Sequence, residues 1–367
     1  MKAALATEIG PEARFDIVDL EIDAPKGREV LLDVRASGLC HSDLHAIRND
    51  WGFPVPAVFG HEIAGVVLEV GPAVTDVKVG DHVVACVVPY CGSCRNCLAG
   101  RSVDCLHPDY IDRRAGEPPR ITMNGEPIVQ QFAVGGFADK ALVNENILAV
   151  IDKEVPFPQA CVIGCAVATG AGAVINAAHV RVGDSVAVFG TGGVGLNGIS
   201  GAVLAGAGRI IAVDIDDAKL DVARRFGATH TVNSSQEDAV AAIRELTGGG
   251  VDHSFEFIGL QVTQRQAYEC LGKGGSAYVV GMAKSGSTVV LDTSVPFLSA
   301  GKAVRGVSMG STNLKRDIPM YADFYLQGRM NLDDLVSQEI ALSEINDAYD
   351  QLSRGGIIRS VITDWTR

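Results

Sequence analysis

Residues 185–195 read Ser-Val-Ala-Val-Phe-Gly-Thr-Gly-Gly-Val-Gly. Strand-forming residues run into a glycine turn, and the helical composition of Asn197–Ala205 follows. In that context Gly190 permits a tight turn, Gly192 lets backbone approach a pyrophosphate, and Gly195 lets helix and strand pack closely. Gly193 and Val194 belong to the same cofactor-binding turn, and the N-terminus of the helix that follows offers free N–H groups and a positive dipole end to an anion. The next strand, Arg209–Val213, ends in Asp214, nineteen residues past Gly195. A carboxylate there accepts hydrogen bonds from adenosine ribose hydroxyls and repels a 2′-phosphate. No Arg lies among Ile215–Ala218, so the expected dinucleotide is NAD rather than NADP, with Lys219 in reach of the same ribose. The plainer alternative is that Asp214 caps the next helix.

Outward from this turn, short β-rich runs (Ile210–Val213, Thr231–Val232, His253–Phe257, Ala277–Val280, Ala303–Val307) alternate with helical stretches such as Asp217–Phe226 and Ser235–Leu246. The alternation predicts a parallel sheet covered on both faces. Upstream, Val30–Ala36, Ala64–Val70 and His82–Val88 are apolar runs broken by Gly71-Pro72 and Gly80-Asp81, the pattern of a twisted, partly antiparallel β domain. Downstream, Met320–Leu326 and Leu342–Leu352 read as helices and Arg359–Thr363 as a last strand. The expected fold class is α/β, with domains at 1–166 and 167–308 and a return of 309–367 to the first.

The chain has 367 residues, 47% hydrophobic and 20% charged, with a formal net charge of -13. That charge disfavours nucleic acid and anionic lipid as partners. The opening stretch lacks the apolar core of a signal peptide, and no apolar run is long enough to span a bilayer, so a cytoplasmic protein is expected.

Four of the nine cysteines, Cys91, Cys94, Cys97 and Cys105, form two C-x-x-C steps and a close fourth. Four thiolates with no open position describe a structural tetrahedral zinc site. An iron–sulfur centre uses similar spacing, whereas a redox pair needs only two of the sulfurs. The other ligand candidates are scattered. Cys40 opens Cys40-His-Ser-Asp-Leu-His45, His61 lies in Gly60-His-Glu62, and Cys165 follows Gly164. Two sulfurs and one imidazole would leave a fourth zinc position open, the catalytic arrangement. Singly, each has a bland reading as a buried apolar thiol or an ordinary histidine, and spacing alone does not make them converge.

Gly60-His61-Glu62 ahead of an Ala-Gly-Val-Val run resembles the G-H-E signature of the zinc-containing alcohol dehydrogenases, within the medium-chain dehydrogenase/reductase superfamily. Leu39-Cys40-His41-Ser42-Asp43 resembles that family's first-ligand motif and Ile163-Gly164-Cys165 its third. The order of motifs matches along essentially the whole chain, and the lobe from Cys105 to Phe137 is of the long kind seen in the dimeric members. It is also similar to bacterial aryl- and allyl-alcohol dehydrogenases. The resemblance implies a GroES-like twisted β catalytic domain split around a doubly wound Rossmann domain, with an active site in the cleft. It implies two zinc ions per subunit, NAD, and hydride transfer between an alcohol and its aldehyde or ketone. Catalytic zinc falls to Cys40, His61 and Cys165. Ser42 would handle the alcohol proton and His45 carry it to solvent, a task that suits imidazole. Asp43 would orient His61, and Glu62 would sit behind the metal and tune it. Thr169 and Arg359 match cofactor contacts, Arg359 on the pyrophosphate. His41 stands where several animal members carry Arg, which implies weaker hold on NADH.

Trp51, Val87 and Phe132 align with the family's substrate pocket, and an aromatic wall suits an apolar or aromatic alcohol. The rivals are a glutathione-dependent formaldehyde dehydrogenase, a polyol or amino-alcohol dehydrogenase, and a zinc-stabilised nucleotide-binding protein without turnover. Against the last stands the Ser42–His45 pair. By resemblance the chain is a homodimer, with a homotetramer as alternative. The edge near Ala277–Val280 and Ala303–Val307 could pair across a two-fold axis.

Overall fold

The computed structural model describes residues 1–49, 52–291, 295–355 and 357–366. It divides into two compact units, Met1–Cys165 with Asn313–Arg367, and Ala166–Thr312.

In the first unit the long strand Glu29–Gly38 is buried along most of its length, so both its faces are covered. It pairs antiparallel with Glu62–Val70 and with Lys140–Asn144. Leu148–Val150, His82–Ala85, Gln338–Ala341 and Ser360–Asp364 complete a seven-stranded sheet. The register of Glu29–Gly38 against Glu62–Val70 shifts between Leu31 and Leu32 and between Val34 and Ala36, and such irregularities bend and twist a strand. A second sheet of four strands contains Lys2–Ala6, Phe15–Asp19, Ala57–Val58 and Val129–Gln130. Phe15 anchors its core, edge-on to Phe59 and Phe137 and stacked on Tyr349. Ser360–Asp364 runs parallel to Gln338–Ala341 and antiparallel to Glu29–Gly38, through Val361 opposite Gly38 and Ile362 opposite Ser37.

The second unit is the expected parallel sheet. Its strands are Ser185–Phe189, Arg209–Asp214, His230–Asn233, Val251–Glu256, Leu271–Val279 and Ala303–Gly306. Counted along the chain within this sheet, their spatial order is 3-2-1-4-5-6, the doubly wound dinucleotide-binding order. Ligands of such sheets bind beyond the carboxyl ends of the strands, where the order reverses. The reversal here is beside Ser185–Phe189, the strand that feeds the glycine turn.

Several boundaries differ from expectation for local reasons. The strand at His82 stops at Ala85, because the Val88 N–H turns back to the Cys86 carbonyl just before Pro89. The helix expected from Ser235 starts at Ala239. Ser235 instead folds onto Asn233 through its N–H and hydroxyl, and Asp238 caps the helix by accepting from Ala241 N at 2.9 Å. The helix expected from Met320 begins at Leu314 and runs through Pro319. Leu342–Glu344 is a tight 3-10 turn leading into the helix Ile345–Arg354. A short helix missed by the sequence reading, His41–Arg48, carries four candidate site residues. Among the described residues no single helix is long and apolar enough to cross a membrane.

Candidate active site and metal centres

Three separate segments of the first unit bring Cys40, His61, Glu62 and Cys165 together. All four are buried, and their ligand atoms lie within 4.8 Å of one another. Cys40 sits at the N-cap of the His41–Arg48 helix, and His61 and Glu62 enter the strand Glu62–Val70. Cys165 follows the 3-10 turn Val162–Gly164. A tetrahedral zinc with ordinary Zn–S and Zn–N bonds sets its ligand atoms roughly 3.5–3.8 Å apart. His61 Nε2 lies 3.3 Å from Cys165 Sγ, close to such an edge.

The surroundings fit a cation. His61 Nδ1 lies 3.0 Å from Asp43 Oδ2, and Asp43 Oδ1 accepts from Gly60 N at 3.1 Å. Asp43 therefore fixes the ring and leaves Nε2 toward the cluster, as a carboxylate behind a metal-bound histidine does. Ser42 Oγ donates to Cys40 Sγ at 3.1 Å and lies 3.5 Å from His61 Nε2. A hydrogen bond from Cys165 pulls the Cys40 thiol well below its usual range against the cost of burial. Burial pushes the Glu62 carboxyl up to about 7, with Arg359 opposing. Glu62 Oε1 is 3.1 Å from Arg359 Nη2, while Oε2 is buried with no hydrogen-bond partner among the described residues. A thiol biased toward thiolate and an orphaned buried oxygen suit a divalent ion at this point.

Cys91, Cys94, Cys97 and Cys105 form the second cluster, also within 4.8 Å. Cys94 and Cys97 sulfurs are 3.4 Å apart, Cys91 and Cys97 4.0 Å, spacings that bracket a tetrahedral edge. Backbone N–H groups converge on the sulfurs, Cys91 N on Cys105 Sγ at 3.2 Å and Cys94 N on Cys91 Sγ at 3.3 Å. The Ser93 N–H leads in holding Cys91 down to about 7, and those of Leu106 and Cys97 hold Cys94 down to about 6. Four sulfur donors leave no open position, so this centre fits a structural zinc. Arg113 and Arg120 then tie the lobe to the sheet. Both reach the buried Glu29, at 2.6 and 2.7 Å, and Arg113 also pairs with Asp23.

His41 and His45 are exposed on the short helix, four residues apart on one face with rings 6.2 Å apart. Asn49 Nδ2 lies 3.3 Å from His45 Nδ1. Phe132 sets its ring edge-on to His61 at 5.0 Å and to Phe53 at 5.5 Å. Phe132 and Val87 line the same cavity, about 820 Å³ in volume. Trp51 lies outside the described residues. Arg359 is buried, and its guanidinium reaches Glu62 and the Leu39 carbonyl, the latter at 3.0 Å. Its guanidinium thus stands beside Glu62 of the first cluster.

In the second unit the glycine turn has the geometry its chemistry needs. Gly190 has φ +89°, and a Cβ on Gly195 would sit 1.8 Å from the Gly190 carbonyl. A Cβ on Gly192 would meet no protein atom within 4 Å, so bare backbone faces open space ahead of the helix Gly193–Ala205. Asp214 does not cap the next helix. Asp216 does, accepting from Ala218 N at 2.9 Å. Asp214 Oδ2 accepts from Thr191 N and Thr191 Oγ1 at 2.8 and 2.9 Å, and Oδ1 from Ile215 N at 2.8 Å. Lys219 lies half-buried on the following helix, and Thr169 Oγ1 contacts the Met309 sulfur at 3.6 Å.

Two residues escaped sequence reasoning. Thr191, inside the glycine motif, fastens the turn to Asp214, and its place between Gly190 and Gly192 was the available signal. Tyr349, buried, donates its hydroxyl to the Cys40 carbonyl at 3.4 Å across 309 residues, and no local pattern marks it.

Residues 26–153 match the alcohol dehydrogenase GroES-like domain family, and residues 193–326 the zinc-binding dehydrogenase family. An S-(hydroxymethyl)glutathione dehydrogenase of Escherichia coli O139:H28 is 37% identical over 370 residues, covering 99% of this chain and 100% of its own. The crystal structure of an alcohol dehydrogenase zinc-binding domain protein from Burkholderia ambifaria superposes with a TM-score of 0.94 at 39% identity, over 99% of this chain and 98% of that one. The benzyl alcohol dehydrogenase of Acinetobacter calcoaceticus gives a TM-score of 0.92 at 36% identity, over 99% of both chains.

Proposed function

Because the chain belongs to the zinc-containing alcohol dehydrogenases of the medium-chain superfamily, an oxidoreductase family using zinc and NAD, we propose that it oxidises apolar or aromatic alcohols reversibly to aldehydes or ketones. The observation that carries the substrate class is Phe132, whose ring stands edge-on to the ligand histidine His61 at 5.0 Å. An aromatic face beside the reacting centre favours a flat apolar substituent on the carbinol carbon. The likeness to a benzyl alcohol dehydrogenase points the same way.

Cys40, His61 and Cys165 would hold the catalytic zinc, which when bound supplies a Lewis acid that makes the alcohol proton easier to lose. The remaining work is done by side chains. Ser42 Oγ, between Cys40 and His61, would accept the proton from the substrate hydroxyl as it passes its own proton on. His45, exposed on the next turn of the same helix, delivers that proton to solvent. Asp43 keeps His61 in one tautomer and one orientation. Arg359 balances the buried charge of Glu62 and so limits the field behind the cluster. In the other unit, the open backbone at Gly192–Val194 would hold the dinucleotide pyrophosphate and Asp214 its adenosine ribose, and the bound dinucleotide would supply the hydride acceptor.

The test is a comparison of kcat/KM with NAD for benzyl alcohol, ethanol and S-(hydroxymethyl)glutathione, followed by the same panel with NADP. Benzyl alcohol should exceed the glutathione adduct by at least about tenfold. The reverse order would establish the second reading, a glutathione-dependent formaldehyde dehydrogenase, which the name of the Escherichia coli relative favours.

A further inference from the structure

The second unit has a cavity of about 1010 Å³ that plays no part in the reaction above. It is lined by Thr247–Gly250, ahead of the strand Val251–Glu256, by Leu271–Lys273, at the start of the next strand, and by Lys302, just before the last. All three places are amino ends of parallel strands. The glycine turn at Gly190 and the acid Asp214 stand at carboxyl ends of the same sheet. Six residues of strand separate the two levels, about 17 Å at 3.3 Å per residue. The cavity is therefore distinct from the dinucleotide turn.

Its chemistry is cationic in a chain of net charge -13. Arg244, Arg265, Lys273 and Lys302 line it together with one carboxylate, Glu269. Arg265 Nε lies 3.5 Å from Glu269 Oε1 and is compensated. Arg244, Lys273 and Lys302 have no carboxylate partner among the described residues; Arg244 Nη1 donates only to the Glu269 carbonyl, at 3.1 Å. Lys302 does not reach out into water as a solvated surface lysine does. It is half-buried, its ammonium 5.1 Å from the centre of the Tyr268 ring. Burial, then the charge of Arg244, push its pKa down, against a smaller opposing pull from Cys270 and Glu269. Arg244 is exposed at the rim, and its charge beside the half-buried Lys302 is unfavourable unless an anion compensates the pair. The wall beside them is bare backbone. A Cβ on Gly248 or Gly249 would meet no protein atom within 4 Å, so a ligand can approach the main chain there.

We propose that this cavity is a second anion site, in which Arg244, Lys273 and Lys302 bind an oligophosphate-bearing small molecule. Three uncompensated cations exceed what one phosphate group neutralises at pH 7, about 1.5–2 charges. The volume is of the order usual for small-molecule sites, about 300–1,000 Å³. Both point to a chain of phosphates, either free or carried on a nucleoside.

The experiment uses zinc-loaded protein saturated with NADH, so that the dinucleotide turn is filled. Inorganic triphosphate and, separately, ATP are titrated in by calorimetry, with zinc counted per chain before and after. Saturable binding at one site per chain is expected, weakened at least tenfold in Arg244→Gln/Lys302→Gln. In that double variant kcat for the alcohol and KM for NAD stay within twofold of the parent. Equal affinity for both probes identifies the free phosphate chain as the ligand, and a preference for ATP identifies a nucleotide. Absence of saturable heat, equal binding by the double variant, or heat that accompanies loss of zinc would each overturn the proposal.

Discussion

The two cysteine-rich centres of this protein use similar donor atoms and are built in opposite ways. One takes all four sulfurs from a single stretch of fifteen residues, Cys91–Cys105, and backbone N–H groups of the same loop orient them. The other draws Cys40, His61 and Cys165 from three segments, and its support comes from farther still, Arg359 beneath Glu62 and Tyr349 on the Cys40 carbonyl. A local cage can form before the domain does and serves to stiffen a lobe. A dispersed one forms only when the domain has closed, and it can keep a face open for substrate. Tying catalysis to global folding and stability to local folding is the lesson of the contrast.

That contrast can be broken at either centre. The largest effect is expected from Cys165→Ser. Zinc content should fall by one ion per chain and kcat by at least about 1,000-fold, with secondary structure by circular dichroism unchanged. Loss of both ions would show that the centres are not independent. Next in size is Arg359→Met, which leaves Glu62 buried beside the cluster without its cation. A destabilisation of about 3–5 kcal/mol is expected in urea unfolding, with recovery of most of it in Glu62→Gln/Arg359→Met. A double variant no more stable than Arg359→Met would show that the pair is not what matters. Cys97→Ser should lower Tm and raise protease sensitivity of the Cys91–Phe137 lobe, while kcat per remaining catalytic zinc changes by less than about twofold.

Smaller effects sharpen the picture around each centre. Near the local cage, Asp23 is held down to about 2 by Lys26 and Arg113, and Glu29 is held below its usual range despite burial by Arg113 and Arg120. A carboxylate whose pKa is lower folded than unfolded stabilises the fold above its unfolded pKa and loses that contribution as pH falls through the folded one. Tm of the parent should therefore drop between about pH 4 and pH 2, and Arg113→Gln should flatten that drop. An unchanged slope in the variant would remove Arg113 from the account. Near the dispersed centre, His41→Arg should slow NADH dissociation by about three- to tenfold in stopped flow, since a planar, always charged guanidinium is a better anion clamp than an imidazole.

How much of this was legible in the sequence follows the same division. Cys91, Cys94, Cys97 and Cys105 announce themselves because a loop of that length forces the sulfurs together. The glycine turn is legible for a like reason, since strand, turn and helix are consecutive. Cys40, His61 and Cys165 could be named as one set only through resemblance to a family, because nothing in their spacing requires them to meet. The Arg359–Glu62 pair was not legible at all. It depends on the register of Val361 opposite Gly38 and Ile362 opposite Ser37, a long-range pairing that local pattern does not encode. A different, local limit explains the misplaced start of the helix at Ala239. There the side chains of Asn233 and Asp238 outweigh the helical composition of the residues around them.

The insertion of the strand Ser360–Asp364 beside Glu29–Gly38 has a consequence for biosynthesis. On the ribosome, Glu62 is made roughly 300 residues before Arg359, an interval of about 15–60 s at 5–20 residues per second. The sheet that shelters the cluster lacks an interior strand throughout that interval, whereas the last strand of the second unit's sheet, ending at Gly306, is made before Arg359. The nascent polypeptide would therefore complete its nucleotide-binding half first and hold an open, edge-exposed catalytic half that waits for its last segment. That interval is when a chaperone has most to protect.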